Sequence, residues 1–445
     1  ANPGCLRDLG RSRSPLPRFG SRHQCAGVDA GVGVPVGSLT HRFLQGLGAA
    51  ATQPLGLAIS GGGDSMAMLH LAARAGLPVQ IATVDHGLRA ESAAEAAMVA
   101  AVCHGLGLPH HTLRWQGWDG SGNLQDNARL ARRRLLAAWA QAQGLPAVAL
   151  AHSQDDVAET FLMRLARGAG IDGLAAMAPA WSEAGVVWLR PLLAASRADL
   201  RGYLAGIGAT WVDDPSNDAD RFDRVKMRKA LKTLAPLGLG APRLAEVAQH
   251  LLQTRSALDA VTDATAQRHL SETHGIVTLA TALFDEPPEL QRRLLQRLIL
   301  WLAPAPYGPR GAALQGLLAR LLAGKSAQLA GCHFLFHRAR LLAFREAKAV
   351  GPAVAGAQVW DNRWRCPNAP ADCEIRALGA DGLAQAKLWR SLGLPRAALL
   401  SQPSLWRDGR LLAAPILAGL LENGENWPVF VTQPGLALFH SALSH

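Results

Sequence analysis

"LAISGGGDSM", residues 57–66, decides which fold this chain can adopt. A short apolar run precedes three glycines, and Asp64 and Ser65 follow them directly. A glycine turn between a strand and a helix lets backbone N–H groups approach an anion, and the helix dipole favours negative charge there. The stretch therefore predicts a phosphate-binding loop, although no P-loop lysine follows it.

Apolar runs alternate with helical stretches around this loop, from about residue 46 to residue 215. The predicted buried strands are 54–59, 79–84, 111–115 and 147–151, and the predicted helices are 65–76, 90–107 and 124–144. Strands that alternate with helices form a parallel sheet with right-handed crossovers. We therefore predict an α/β fold with a doubly wound parallel sheet.

The strand pattern weakens in the second half of the chain. Ala/Leu-rich helical stretches dominate there, and a Gly/Ala/Pro-rich segment near 350–357 precedes a mixture of short strands and turns. We predict a catalytic domain at 46–222, a helical middle domain at 223–350 and a small α+β domain at 358–445. Residues 1–45, rich in Arg, Ser, Pro and Gly, are expected to be a disordered extension.

The composition favours a polyanionic partner. The 445 residues include 45 Lys and Arg against 34 Asp and Glu, a formal net charge of +11. Arginine suits phosphate oxygens and base stacking, so RNA or DNA is a plausible partner, although a GC-rich genome would also enrich arginine. No apolar stretch reaches the about 18 residues that a membrane span needs.

Cysteine and histidine spacing gives no sign of a metal site. None of the six cysteines forms a CxxC pair, and unpaired cysteines suit a reducing cytosol. The pair His110–His111 has no partner at metal-ligand spacing, so we interpret it as structural. "GKS" at 324–326 lacks the glycine that a P-loop requires at position 319, which is Ala, and it follows a helix.

"VDHGLR", residues 84–89, ends the second predicted strand. Ligands of doubly wound sheets bind outside the carboxyl ends of the strands, the edge that carries the glycine loop. Asp85, His86 and Arg89 are therefore expected beside that loop, with Arg89 near phosphate and His86 near a nucleotide base.

"AHSQDDVAET", residues 151–160, follows the fourth predicted strand and begins a helix. The candidate ligands in it are His152, Asp155, Asp156 and Glu159. Their spacing places them near one helix face, where clustered carboxylates are destabilising unless they meet cations. A metal ion or an ammonium group would supply that positive charge.

Three later motifs add polar groups that we assign to the same site. "RLARGAGIDGL" (164–174) supplies Arg167, "WLRPL" (188–192) supplies Arg190, and "DDPSN" (213–217) supplies Asn217. Polar motifs at so many successive strand ends are better explained by one binding site than by independent turns.

The ordered set "SGGGDS", "DHGLR", "HSQDDVAET", "RGAGIDGL", "RPL" and "DDPSN" resembles the tRNA(Ile)-lysidine synthetases, a branch of the PP-loop ATP pyrophosphatase superfamily. The resemblance covers roughly residues 46–445. It implies that ATP is cleaved between its α- and β-phosphates, so that the glycine loop holds the leaving diphosphate and needs no P-loop lysine. The adenylated group would be C2 of the wobble cytidine in tRNA(Ile) with anticodon CAU, and free L-lysine would then displace AMP to give lysidine.

The resemblance also implies roles for individual residues. The ATP-binding residues would be Ser60, Gly61, Gly62, Gly63, Asp64, Ser65, Asp85, His86 and Arg89, with Asp64 also holding Mg²⁺. The residues for lysine or the tRNA adenylate would be His152, Asp155, Asp156, Glu159, Arg167, Arg190, Asn217 and Arg228. Asp64, Asp156 and Glu159 would be catalytic, and one carboxylate near the amine would take its proton so that it can attack.

The resemblance further implies a cytoplasmic enzyme and leaves a homodimer open. One departure concerns Arg224-Val225-Lys226-Met227-Arg228, where the family usually has Asn in place of Val225. The alternatives are a tRNA 2-thiolating enzyme of the same superfamily, an amidotransferase-type ligase and a non-catalytic tRNA-binding protein. Thiolation would need cysteines near the loop, where the catalytic region has Cys103 alone.

Overall fold

The computed structural model describes residues 36–87, 91–116, 124–213, 223–305, 308–418, 420 and 431–432. They fall into two compact units, of which the first contains the residues up to Ala166 together with Met177–Glu246. The second contains Arg167–Ala176 and the residues from Val247 onward.

The first half of the chain alternates helices and strands. In chain order these are α1 (Val36–Leu47), β1 (Leu55–Ala58), α2 (Gly63–Arg74), β2 (Val79–Asp85), α3 (Glu91–Gly105), β3 (His110–Arg114), α4 (Leu124–Ala142), β4 (Ala147–Leu150), α5 (Gln154–Leu165), α6 (Ile171–Leu174), β5 (Ala180–Glu183), β6 (Val186–Leu189), α7 (Arg197–Gly206) and α8 (Asp223–Leu234). The four predicted strands correspond to β1–β4 and the three predicted helices to α2–α4. Of these elements, α6 belongs to the second unit.

The sheet of the first unit has the strand order β3-β2-β1-β4-β6-β5. Its strands are parallel except β5, which pairs antiparallel with β6. The predicted parallel sheet is thus confirmed, with one antiparallel edge strand added. Because β1 lies between β2 and β4, the chain reverses its direction of winding there, and the glycine loop and the start of α5 leave the sheet on either side of this switch point.

Both faces of the sheet are covered, because successive side chains of β1 point to opposite faces. Leu57 and Ile59 pack into the core formed with α1, α2 and α7, whereas Ala58 faces the core that contains α4. Gly56 shares the face of Ala58, and a Cβ added there would lie 2.8 Å from the ring of Trp139 on α4. The absence of a side chain at position 56 therefore lets α4 pack closely on the sheet.

The first unit begins earlier than predicted. Helix α1 lies largely within the range 1–45 expected to be an extension, and its Leu39 and Phe43 are buried in the core of the unit. The apolar residues Leu39, Phe43 and Leu47 recur at helical spacing, which is the signal for an amphipathic helix.

The second unit combines helices with antiparallel sheets. Its remaining elements are α9 (Ala241–His269), which begins in the first unit, β7 (Leu270–Thr273), β8 (Ile276–Leu279), α10 (Pro288–Leu302), α11 (Gly311–Leu322), β9 (Ala327–Leu329), β10 (Cys332–His337), β11 (Arg340–Arg345), β12 (Val354–Ala355), β13 (Trp364–Arg365), β14 (Glu374–Ala377), α12 (Gly379–Gln385), α13 (Arg396–Leu400), β15 (Pro403–Arg407), β16 (Arg410–Ala413) and β17 (Val431–Thr432). The sheet orders are β7-β8-β11-β10-β9, β12-β14-β15-β16 and β13-β17.

The middle region differs from the predicted helical domain in two respects. It contains the five strands β7–β11 besides its helices, and its first helix, α8, belongs to the first unit. The hairpins among these strands have two-residue turns with positive φ, such as His274–Gly275 (49° and 91°), which match the twist of antiparallel hairpins. Within the described ranges, no helix is both long enough and apolar enough to span a membrane.

Replacement of Phe43 by Ala tests whether α1 is part of the fold. The side chain is fully buried, so Phe43→Ala should lower the free energy of unfolding by about 3–5 kcal/mol in urea denaturation. His41→Ala, an exposed change in the same helix, should alter it by less than about 0.5 kcal/mol. Equal stability of the two variants would contradict the assignment of α1 to the core.

Candidate active site

The glycine loop joins β1 to α2 at the carboxyl edge of the sheet. Gly61 has φ +88°, a left-handed conformation that glycine adopts without strain. Its carbonyl oxygen accepts a hydrogen bond from the Val212 amide at 3.0 Å, and Ser65 Oγ donates to the Gly62 carbonyl at 2.8 Å. These contacts fix the loop, and no side chain caps the N-terminus of α2. The first amides of α2 are therefore suited to bind an anion.

A cavity of about 320 Å³ adjoins the loop and extends over β1 and β2. Its polar lining comprises Ser60, Thr83, His86, Ser92, Glu95 and Arg132. Burial lowers the pKa of the Arg132 guanidinium, and neighbouring Arg129 lowers it further. Within the described parts of the chain Arg132 forms no ion pair, so an anion in the cavity would meet an uncompensated cation. The sequence motifs did not predict a role for this residue.

The acidic motif after β4 contacts the glycine loop through Ser153. This serine is the N-cap of α5, and its amide donates to Asp156 Oδ2 at 2.9 Å in a capping box. Its hydroxyl lies 3.1 Å from Asp64 Oδ2 and 3.2 Å from Asp156 Oδ2. Carboxylates of α2 and α5 thus meet at one hydroxyl group. Burial, and secondarily the charge of Asp156, raise the pKa of Asp64, although Arg197 opposes them.

Arg197, in the first turn of α7, connects the three carboxylates predicted to be catalytic. Its guanidinium nitrogens lie 3.5 Å from Asp64 Oδ2, 3.2 Å from Asp156 Oδ1 and 2.9 Å from Glu159 Oε1. Its own amide donates to Asp155 Oδ2 at 2.7 Å. Asp155 therefore stabilises the start of α7, and the other three carboxylates share one countercharge. The sequence motifs did not predict Arg197, whose only signal is the helix start "SRAD", a capping box of Ser196 and Asp199.

Glu159 also binds the second arginine of the cluster. Arg228 Nε of α8 donates to Glu159 Oε1 at 3.0 Å, and Val225, at the position where Asn was expected, is buried on the same helix. The other oxygen of Glu159, Oε2, is buried without a hydrogen-bond partner in the described structure. Three carboxylates in direct contact with two guanidinium groups leave one negative charge, which an additional cation would balance.

His152 and Arg190 form a second pair at the same edge. Arg190 Nε donates to His152 Nδ1 at 3.2 Å, and its guanidinium lies 4.0 Å from the centre of the Trp181 ring. Burial, the largest cause, lowers the pKa of His152 to about 4. The imidazole is therefore neutral at physiological pH.

The other predicted site residues have separate environments. Asp85 Oδ1 accepts hydrogen bonds from the Gly87 amide at 2.9 Å and Ser92 Oγ at 2.8 Å, which lower its pKa and order the turn after β2. Arg167 belongs to the second unit. Arg89 and Asn217 lie outside the described residues.

The histidine pair and the GKS sequence, which were not assigned to the site, have structural roles. His110 Nε2 lies 2.9 Å from Thr83 Oγ1 on the neighbouring strand, and His111 packs against Trp139. "GKS" at 324–326 connects α11 to β9, the reverse of the strand-to-helix order of a P-loop. The histidine pair is structural, and GKS lies in the second unit.

A family model described as a PP-loop domain matches residues 37–234. This range contains the glycine loop, the cavity and the carboxylate cluster, and it begins within α1. Fold and site thus define the first unit as a PP-loop domain, a class of ATP-using domain.

The relatives extend this relationship beyond the PP-loop domain. The tRNA(Ile)-lysidine synthase of Ruegeria pomeroyi is 48% identical over 386 residues, which are 83% of this chain and 92% of that protein. The tRNA(Ile)-lysidine synthase of Zymomonas mobilis is 37% identical over 298 residues, 64% of this chain and 88% of that one. The chain belongs to the tRNA(Ile)-lysidine synthase family.

A solved structure, the U34-tRNA thiolase NcsA from Methanococcus maripaludis with its [4Fe-4S] cluster, is similar at a TM-score of 0.44 and 16% identity, over 49% of this chain and 80% of that one. Thiolation by this chain is disfavoured by its own chemistry. Cys103 is fully buried on α3, and burial raises the pKa of its thiol to about 11, so it is not a reactive thiolate.

Arg197→Met tests the shared countercharge. Because three carboxylates would lose their common partner, the variant should lose about 3 kcal/mol of unfolding free energy at neutral pH. The deficit should shrink as the pH falls towards about 5, since burial raises the pKa of Asp64 and its protonation relieves the repulsion within the cluster. Urea denaturation at several pH values measures both effects.

Arg201→Met is the matched control for that experiment. Arg201 lies one turn further along α7 and forms an ion pair with Asp213 at 2.6 Å, with half of its side chain exposed. Its loss should change the unfolding free energy by less than about 1 kcal/mol at every pH. An Arg197→Met deficit that does not depend on pH would contradict the proposed charge balance.

Proposed function

We propose that this chain ligates L-lysine to C2 of the wobble cytidine of tRNA(Ile) with anticodon CAU, through a tRNA adenylate, and releases AMP and diphosphate. ATP-dependent lysidine formation in tRNA(Ile) is the activity that its family relationship supports. The observation that carries the proposal is the contact of Asp64, Asp156 and Glu159 with one guanidinium beside the glycine loop. The carboxylate proposed for the nucleotide, Asp64, and the two proposed for the amine, Asp156 and Glu159, thus share one site.

The loop and the cavity would bind ATP. The N-terminal amides of α2 would hold the leaving diphosphate, and the adjoining cavity of about 320 Å³ would hold part of the nucleoside. The buried Arg132 would offset negative charge on the phosphates. Displacement of diphosphate makes the cytidine oxygen a leaving group, so that the subsequent loss of AMP is favourable.

Asp64 is a suitable ligand for Mg²⁺. It lies in the first turn of α2 beside the loop, and the raised pKa of its buried carboxyl indicates that a cation is favoured there. No cluster of three or more metal-ligating side chains occurs among the described residues. Mg²⁺ usually takes one or two carboxylates and completes its shell with phosphate oxygens and water, which fits a single carboxylate. The ion would neutralise phosphate charge when bound.

Asp156 and Glu159 would bind the amine of lysine. The cluster has one negative charge in excess, and the buried Glu159 Oε2 has no partner in the described structure. An ammonium group would balance this charge and donate a hydrogen bond to Glu159 Oε2. An amine attacks only after it loses a proton, and either carboxylate could accept that proton as the C–N bond forms and AMP leaves. Arg228, which contacts Glu159, would hold that carboxylate in position.

Binding of tRNA would use the excess of positive charge. The chain has a net charge of +11, and contacts between arginine and phosphate are strongly weakened by salt. The reacting base must leave its stack to reach a protein pocket, and RNA loops present bases in this way.

Replacement of Asp64 separates catalysis from tRNA binding. Asp64→Asn should reduce AMP release by at least about a hundredfold, because the amide cannot replace a carboxylate ligand of Mg²⁺. Affinity for tRNA, measured by filter binding at fixed salt, should stay within about twofold. Persistent AMP release would show that Asp64 is not needed in the nucleotide site.

Asp156→Asn separates lysine binding from adenylation. The KM for lysine should rise at least about tenfold, because the ammonium group of lysine loses one of its carboxylate partners. By contrast, tRNA-dependent ATP–diphosphate exchange should change by less than about threefold. Glu183→Gln, at an exposed carboxylate of β5, should alter neither. The assay uses labelled lysine and purified tRNA(Ile), and incorporation into tRNA(Met), which has the same CAU anticodon, would contradict the proposed specificity for tRNA(Ile).

A further inference from the structure

The contact between Arg190 and His152 determines which imidazole nitrogen carries the proton. Arg190 Nε points its hydrogen at His152 Nδ1 over 3.2 Å. Arginine always donates through Nε, so Nδ1 must offer its lone pair. A neutral imidazole then has its single proton on Nε2, and a doubly protonated ring would place two N–H groups against each other.

Arg190 is itself held in this orientation by the β5–β6 hairpin. Its Nη1 donates to the Ala178 carbonyl at 2.6 Å, and its amide donates to the Pro179 carbonyl at 2.8 Å. The guanidinium lies 4.0 Å from the centre of the Trp181 ring, which stacks on Trp188 at 5.8 Å and an interplanar angle of 16°. The side chain is therefore fixed before any ligand binds.

The surrounding charges favour the neutral ring. After burial, the groups that act on His152 are Asp156 of α5, which favours the charged ring, and Arg190, Arg224 of α8 and Arg132 of α4, which oppose it. Three cations against one carboxylate reinforce the effect of the buried environment. The hydrogen bond then selects one of the two neutral tautomers.

We propose that Arg190 is a positioning residue that fixes His152 as the neutral Nε2–H tautomer, so that His152 acts in the ligation as a hydrogen-bond donor to a substrate oxygen. The inference rests on the proposed function and revises the role of Arg190, because two of its donor nitrogens are already bound within the protein. A neutral donor stabilises charge that develops on an oxygen and is not itself titrated near neutral pH. The antiparallel edge strand β5, through Trp181, thereby contributes to the site.

The tautomer can be observed directly by nitrogen NMR of the full-length chain labelled with ¹⁵N-histidine, with the His152 signals assigned by their loss in His152→Gln. Wild-type His152 should show an unprotonated Nδ1 and a protonated Nε2 across neutral pH. Arg190→Met should populate the Nδ1–H tautomer or raise the pKa of His152. Arg133→Met, which breaks the 3.0 Å ion pair with Glu183 in the same hairpin, should change neither. A protonated Nδ1 in the wild-type protein would overturn the proposal.

A double-mutant cycle tests whether Arg190 acts through His152. Arg190→Met should lower kcat by about ten- to a hundredfold with little change in the KM for ATP, as loss of a partner that orients a histidine typically does. Glutamine at 152 offers an N–H without tautomers, so Arg190→Met should cost less than about twofold in the His152→Gln background. An equal loss in both backgrounds would contradict the proposal.

Two further results distinguish unfolding of a variant, failure of the proposed role of Arg190 and failure of the proposed function. Arg190→Lys, which keeps a donor, should retain both the tautomer and more activity than Arg190→Met, and it remains informative if the methionine variant unfolds. If wild-type protein transfers no lysine to tRNA(Ile) while the NMR result holds, the proposed function fails and the positioning of His152 by Arg190 stands.

Discussion

The candidate active site depends on the ion-pair cluster around Arg197. Three helices that leave the sheet at different points each contribute to it: α2 contributes Asp64, α5 contributes Asp156 and Glu159, and α7 contributes the guanidinium. Partly buried carboxylates at such short range repel one another strongly unless a cation lies between them. The guanidinium therefore offsets the repulsion among three acidic groups close to the loop that is proposed to bind phosphate. With Arg228 included, the cluster keeps a small negative excess, a state suited to receive a metal ion or an amine.

The sheet topology explains why the cluster forms where it does. The loop after β1 and the helix after β4 flank the point at which the winding of the sheet reverses, and the chain returns to that point through Val212, whose amide binds Gly61. Short connections from parallel strands then bring residues distant in sequence within hydrogen-bond range, as Ser153 and Asp64 illustrate. The same edge holds His152 and Arg190, so the backbone places the proposed catalytic and orienting groups together.

Sequence patterns predicted the parallel sheet and the groups that follow its strands, because apolar periodicity and strand-end position are local properties. They predicted that Asp64, Asp156 and Glu159 lie close together, and all three carboxylates contact Arg197. They did not predict Arg197, since its importance arises from contacts with residues 38 to 133 positions away. The strands β7–β11 were missed because their hairpin turns use His274–Gly275 and Arg338–Ala339 in place of the common Asn–Gly. Helix α1 was missed because it directly follows an Arg- and Ser-rich segment.

Gly56 has no side chain, yet its position affects the cavity that is proposed to hold the nucleotide. Trp139, which packs over Gly56, and Arg132, which lines the cavity, lie two turns apart on one face of α4. The height of that helix above the sheet is therefore set by the missing side chain at position 56. A single added methyl group would lift the indole and move the wall of the cavity with it. Substitution of this buried glycine, like substitution of the polar lining residues, would therefore change the shape of the cavity that is proposed to hold the nucleotide.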